Sequence, residues 1–217
     1  MTLVDIERPR PVLDRERERE LTDRQRELLD HLGRMFDEGF ADLTMAEIAG
    51  RLNCSLRTLY ALASSRDELV LVVVDRSLWR VGRSAQSAID PDMPPLDAVR
   101  SYLAAAHVAV MNTTEPFARD LAAVPAAQRL QEAHQDYLGA VTKGLLDAAV
   151  SSGDIAPIDT AAVARALSRL GADFAKPDVL GTIQSSPKDA ADLIAELVLR
   201  GLERLDNAAL SRNGASV

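Results

Sequence analysis

The stretch Thr44 to Leu69, TMAEIAGRLNCSLRTLYALASSRDEL, leaves the chain few choices of local fold. Thr44 can cap a helix with its hydroxyl. Glu47, three residues on, can return a bond to the Thr44 backbone N–H, so the pair predicts a capping box. Ile48 and Leu52 then fall on one helical face, with Ala49 beside them. Asn53-Cys54-Ser55 interrupts that helix. Asn is the non-glycine residue most able to take a left-handed conformation at a helix end, and Ser55 is a good N-cap for the next helix. In that short second helix, Leu56 to Leu62, Leu59 must face the first helix. That leaves Leu56, Arg57, Thr58, Tyr60 and Ala61 divided between the flanks and the outward face. The pattern predicts two short helices joined by a tight turn, followed by the start of a third.

Such an outward face suits a DNA groove, where the N-terminal part of a reading helix needs short hydrogen-bonding side chains and an arginine able to reach base edges or phosphates. Local charge agrees: between Leu43 and Arg66 stand Arg51, Arg57 and Arg66 against Glu47 alone, in a chain of net charge −8. The same pattern also fits an ordinary helical hairpin in a core, or a module that contacts another protein.

The neighbourhood adds a family resemblance. Gly39-Phe40, Leu43-Thr44-Met45, Glu47-Ile48-Ala49, the Asn53-Cys54-Ser55 turn, Thr58-Leu59-Tyr60 and Ser65-Arg66-Asp67-Glu68-Leu69 together resemble the DNA-binding domain of TetR-family transcriptional regulators. The match runs from about Leu28 to Leu78. It departs from the family pattern at Asn53, where Gly is usual, at Leu62-Ala63, which replace an aromatic pair, and at Arg66, which replaces Lys. The resemblance implies an all-α chain in which a three-helix reading head precedes a larger helical bundle for effector binding and dimerisation. Its implied partners are a double-stranded operator with inverted-repeat symmetry, a second copy of the chain, and a small-molecule effector that releases a repressor from DNA. On this reading Arg57 meets bases, with Leu56 beside it on the DNA-binding helix, while Thr44, Ser55, Thr58, Tyr60 and Arg66 meet phosphates.

Composition agrees with the fold class. Hydrophobic residues make up 47% of the 217 residues and aromatics only 4%, so Leu, Val, Ile and Ala must build the core, at helical spacing rather than strand alternation. One cysteine cannot form an internal disulfide, and neither a signal-like segment nor a membrane-length apolar run is present, so a cytoplasmic protein with no membrane partner is expected. Three scattered histidines give no metal-binding spacing, and no phosphate loop or nucleophile elbow occurs, so no metal, cofactor or catalytic residue is expected. A helical enzyme built from carboxylates such as Asp136 and Asp173 is the weaker alternative.

Taken in order, residues 1–21 carry Pro9, Pro11 and an alternating run from Asp14 to Glu20, and are expected to be a flexible charged arm. Residues 22–66 form the head, with Leu28, Leu32, Met35 and Phe36 as the apolar stripe of its first helix. Residues 67–217 form the bundle, punctuated by Asp90 to Pro95, Pro116, Pro125, Gly153 and Pro187. Within it His107, Met111, Phe117, His134, Tyr137 and Phe174 are the larger or polar-tipped side chains of a Leu/Ala-rich region, and they are the candidate effector lining as well as plausible core filler. The few basic residues of this part disfavour a strongly anionic effector. Leu167, Leu170, Ile194, Leu197, Val198, Gly201 and Leu205 form wide apolar bands on the last two long helices. The resemblance implies that these bands pair with their copies in a second subunit, although closure of the monomer core would use the same stripes.

Overall fold

Side chains that accept from the third backbone N–H of a helix start most elements of this chain. Asp14, Thr22, Thr44, Ser55, Ser65, Thr114 and Asp159 all do so, satisfying a donor that the helix cannot. A computed structural model describes the backbone of residues 8–213, and of Arg15 and residues 205–213 the helical path alone. The described elements are helices, with no strand among them: α1 (Arg15–Glu20), α2 (Asp23–Phe36), α3 (Met45–Arg51), α4 (Leu56–Tyr60), α5 (Arg66–Ser87), α6 (Pro95–Ala106) running into a 3₁₀ turn (His107–Val110), α7 (Glu115–Ala122), α8 (Pro125–Ser152), α9 (Thr160–Phe174), α10 (Pro177–Leu180) and α11 (Pro187–Asn213). Pro95, Pro125, Pro177 and Pro187 open their helices, where the missing N–H costs nothing. Gly153 closes α8 in a left-handed conformation at φ +79°. No described helix is long and apolar enough to cross a membrane.

Two apolar cores result. The first gathers Leu32, Phe36, Phe40, Ile48, Leu59 and Leu69 of the head with Leu121, Val124 and Ala127 from α7 and the start of α8. The second joins α6, α8, α9 and α11 through Val99, Tyr102, Leu145, Leu146, Leu167 and Leu199. Helix α5 belongs to both: Leu69, Val70, Val72 and Val74 lie in the first core and Ala85 in the second. The head's core therefore continues past residue 66.

Within the stretch read as a flexible arm, residues 12–21 pack against the head. Leu13 and Leu21 are buried in the first core, and α1 lies between them. The Val12 N–H donates to Asp75 Oδ2 on α5 at 2.8 Å, and Arg76 pairs with Glu18. The cause lies 58 and 63 residues away in the chain, beyond the reach of local pattern. Residues 1–7 lie outside the described part.

A second long-range joint ties the head to α7. The loop after α2 turns at Gly39, φ +100°, a conformation that L side chains rarely adopt. A Cβ there would also meet Asp120 Oδ2 at 3.1 Å and Pro116 at 3.3 Å. That approach lets Asp120, 6% exposed, accept from the Phe40 and Ala41 N–H groups at 2.6 and 2.8 Å. Thr114 donates to the Asp37 carbonyl alongside. Burial pushes the Asp120 carboxyl up, but the Ala41 and Phe40 amides and Arg119 outweigh it and hold the group below its ordinary value.

Asp120→Ala should therefore destabilise the protein by about 2–3 kcal/mol in urea denaturation, because two shielded amides lose a charged acceptor. The sign with pH follows from the lowered folded-state pKa. The stabilisation is complete above the unfolded value of about 4 and fades as pH falls through the folded one. The variant should lack that part of the acid dependence, and an unchanged acid limb in its denaturation profile would contradict the assignment.

Candidate functional site

The turn between α3 and α4 is built from short-range bonds. The Thr44 N–H donates to Glu47 Oε2 at 2.8 Å and the Glu47 N–H returns to Thr44 Oγ1 at 3.2 Å, and this pairing with the Thr44 amide and hydroxyl holds the Glu47 carboxyl below its usual range. After α3, Asn53 takes φ +49°, left-handed, and the Cys54 N–H donates to the Ala49 carbonyl at 3.0 Å. Ser55 Oγ then accepts from the Thr58 N–H at 3.1 Å and starts α4. Leu59, on the inner side of α4, is fully buried. The helix's opposite side presents Leu56 at 41% exposure, Arg57, and Tyr60 at 53%.

The DNA-facing candidates are not equally free. Leu56, Arg57 and Tyr60 stand exposed on one short helix. Thr44 and Ser55 are exposed but use their hydroxyls as caps, and Thr58 is half-buried with its hydroxyl 2.8 Å from Ser55 Oγ. Arg66 turns back toward the head: its guanidinium donates to the Ala41 carbonyl and pairs with Asp67 at 2.8 Å. Sequence reasoning did not single out two arginines that the fold brings to this side. Arg17 on α1 reaches the Ala61 carbonyl, at the end of α4, at 3.4 Å, and Arg24 on α2 lies near enough to act on the Cys54 thiol. The alternating charges of residues 14–20 were the available signal for Arg17, but only its docking onto the head gives them a place.

A cleft of about 1700 Å³ opens between α5, α8, the 3₁₀ turn and the N-terminal segment. Met111, Phe117, His134 and Tyr137 line it; His107 and Phe174 do not. His107 is 2% exposed, with Nδ1 2.7 Å from Asp192 of α11; burial lowers its pKa, against the raising effect of that carboxylate. It serves the packing of the 3₁₀ turn on α11 rather than the cleft. Phe117 also packs on Phe40 of the head, ring centroids 6.1 Å apart. Across the cleft's inner side α5 and α8 meet through polar contacts. Asp75 lies 3.2 Å from His134 Nε2, Trp79 sits edge-on to the His134 ring at 5.5 Å, and Gln86 donates to the Tyr137 hydroxyl. The wall also carries Arg34, Arg76, Arg80 and Arg83. The expected scarcity of basic groups does not hold for the cleft, because α2 and α5 of the basic-richer N-terminal part supply much of it.

The expected dimer residues divide. Ile194 and Leu197 on α11 are exposed, at 37% and 59%, and Leu193 beside them at 61%. Leu167 is buried within this one chain, so it belongs to the monomer core, and Leu170 and Val198 pack partly against that core. Gly201 is half-buried with open space where a Cβ would stand. Leu205 lies outside the residues whose side chains are described. A stripe shared between core and surface looks continuous in sequence, which is why spacing alone did not separate the two.

The architecture is similar to that of known regulators. A TetR-like transcriptional regulator from Rhodococcus sp. RHA1 matches at a TM-score of 0.59 and 25% identity, over 87% of this chain and 96% of that one. A tetR-family regulatory protein from Rhodococcus RHA1 matches at 0.65 and 20%, over 84% and 98%. PfmR, a TetR-family regulator from Thermus thermophilus, matches at 0.60 and 19%, over 81% and 98%. No protein-family model matches the chain, and no curated protein matches it. The chain has the all-helical fold of TetR-family transcriptional regulators.

The left-handed Asn53 gives a local test of the turn. Asn53→Gly should be neutral or slightly stabilising, whereas Asn53→Val should cost at least about 1 kcal/mol, since a β-branched residue resists positive φ. Thermal melts of the two variants, read against the parent, check the order, and equal melting temperatures would mean that the turn tolerates a different backbone.

Proposed function

We propose that this chain is a homodimeric, sequence-specific DNA-binding transcriptional regulator, a repressor whose hold on an inverted-repeat operator is changed by a small molecule in the cleft. The observation that carries the reading is α4: docked on the head by the fully buried Leu59, it leaves Arg57 and Tyr60 bare on the opposite side. On this reading Arg57 reaches a base edge, where a guanidinium can form paired hydrogen bonds with guanine. Tyr60 and the capped ends at Thr44 and Ser55 meet the phosphates that fix register, and Thr58 and Arg66 stand behind them. Arg17 joins the phosphate contacts from α1.

Two heads on a twofold axis would read two half-sites. The exposed Leu193, Ile194 and Leu197 support a partner copy covering α11, because adjacent large apolar side chains on one helix favour burial. Coupling to a ligand would run along α5, whose first turns sit in the head's core and whose later turns wall the cleft. A ligand shifts operator affinity only so far as it binds the two arrangements of the heads unequally. Nothing at the site favours catalysis over this reading.

Selection of duplexes from a random pool, followed by anisotropy titration on the winner, tests the assignment. The enriched sequence should be an inverted repeat, and the log of affinity should fall linearly with the log of salt. Arg57→Ala should cost about 1–3 kcal/mol and relax preference at one position per half-site, while Tyr60→Phe should weaken all sequences alike. A pool with no enrichment, or a sedimentation profile of a monomer at micromolar concentration, would count against a dimeric operator binder.

A further inference from the structure

The cleft's charged groups are mixed in sign, and several pair with one another. Arg80 lies 3.8 Å from Asp30 and Lys176 2.6 Å from Asp173, while Arg76 pairs with Glu18. Those that remain on the wall are of both signs, Arg8, Arg19, Arg34 and Arg83 against Asp37, Glu132 and Asp178. A ligand with a net charge would give up hydration there and meet like as well as opposite charges on the wall.

Two polar atoms of cleft-lining residues stand apart from this balance. Trp79 Nε1 and Gln135 Oε1 are buried with no hydrogen-bond partner. One can only donate and the other can only accept. Buried polar groups are seldom left so, and each carries the cost of its lost water. A ligand meets them only as the side chains of the wall yield, and what it gains is the bond that the closed wall lacks. We propose that the cleft takes an uncharged, mostly apolar molecule whose polar end both accepts and donates a hydrogen bond, as an alcohol or primary amide does, with Trp79 Nε1–H and Gln135 Oε1 as its partners. The inference rests on the reading of the cleft as the effector site and narrows its ligand class.

Trp79 is the chain's single tryptophan, so its emission reports on the cleft directly. The test takes the full-length protein and four probes that share one alkyl chain: 1-octanol, octanamide, octanoate and octylamine. Emission, melting temperature and calorimetric affinity are read without DNA, and operator affinity is read separately. The alcohol and the amide should shift the emission and raise the melting temperature, and the two ions should bind at least about 10-fold more weakly. Trp79→Phe and Gln135→Met should each lower the alcohol's affinity about 10-fold, the worth of one net hydrogen bond. If Trp79→Phe does not fold, Gln135→Met still reads out through the Trp79 emission. Equal or tighter binding of an ion, undiminished binding by a folded variant, or no response to any probe overturns the proposal. Binding of the neutral probes without a change in operator affinity upholds the ligand class and overturns the effector reading. A change in operator affinity driven by an ion does the reverse.

Discussion

The carboxylate of Asp120 holds two backbone amides of a loop 80 residues away in the chain, and much of the architecture depends on that reach. Without it the loop after α2 would carry shielded N–H groups with no acceptor, and the head would lose a directed tie to α7. Apolar contact alone would not fix the angle between the two, since burial of area is indifferent to small rotations. Two short charged hydrogen bonds at adjacent residues do constrain it. Gly39 is the matching condition on the other side, because any Cβ would hold the carboxylate off the loop.

A similar division of labour runs along α5. Its first three turns are apolar on the buried side and merge with the head, whereas Asp75, Trp79 and Gln86 present polar groups to α8 and the cleft. Polar contacts of this kind are sensitive to what displaces them. Asp75 is the busiest of them, since its two oxygens serve Val12 of the N-terminal segment and His134 of α8. On the proposed reading, a ligand that moves His134 also disturbs the anchor of the segment that carries Arg17 toward α4.

What could be read from the sequence was local. The capping box of Thr44 and Glu47, the left-handed Asn53, the Ser55 cap and the buried Leu59 all depend on residues within five positions of each other, and all are present in the structure. The helix boundaries at Pro125, Gly153, Asp159 and Pro187 followed from the same short-range chemistry. What could not be read was long-range. The docking of residues 12–21, the Asp120 joint and the removal of His107 from the cleft by Asp192 each join residues more than 40 apart, for which no periodicity exists. Arg66 is the instructive case within the motif: its position matched the pattern, yet a carbonyl across the α2 loop takes its guanidinium.

Helix α5, from Arg66 to Ser87, is long enough to act as a lever. Its 22 residues span about 33 Å at the helical rise, so each degree of tilt about one end carries the other end through about 0.6 Å. The cleft wall lies toward one end and the reading head at the other. On the proposed reading, a tilt of about five degrees set by what fills the cleft would move the far end by about 3 Å, the length of a hydrogen bond and the scale on which a groove discriminates.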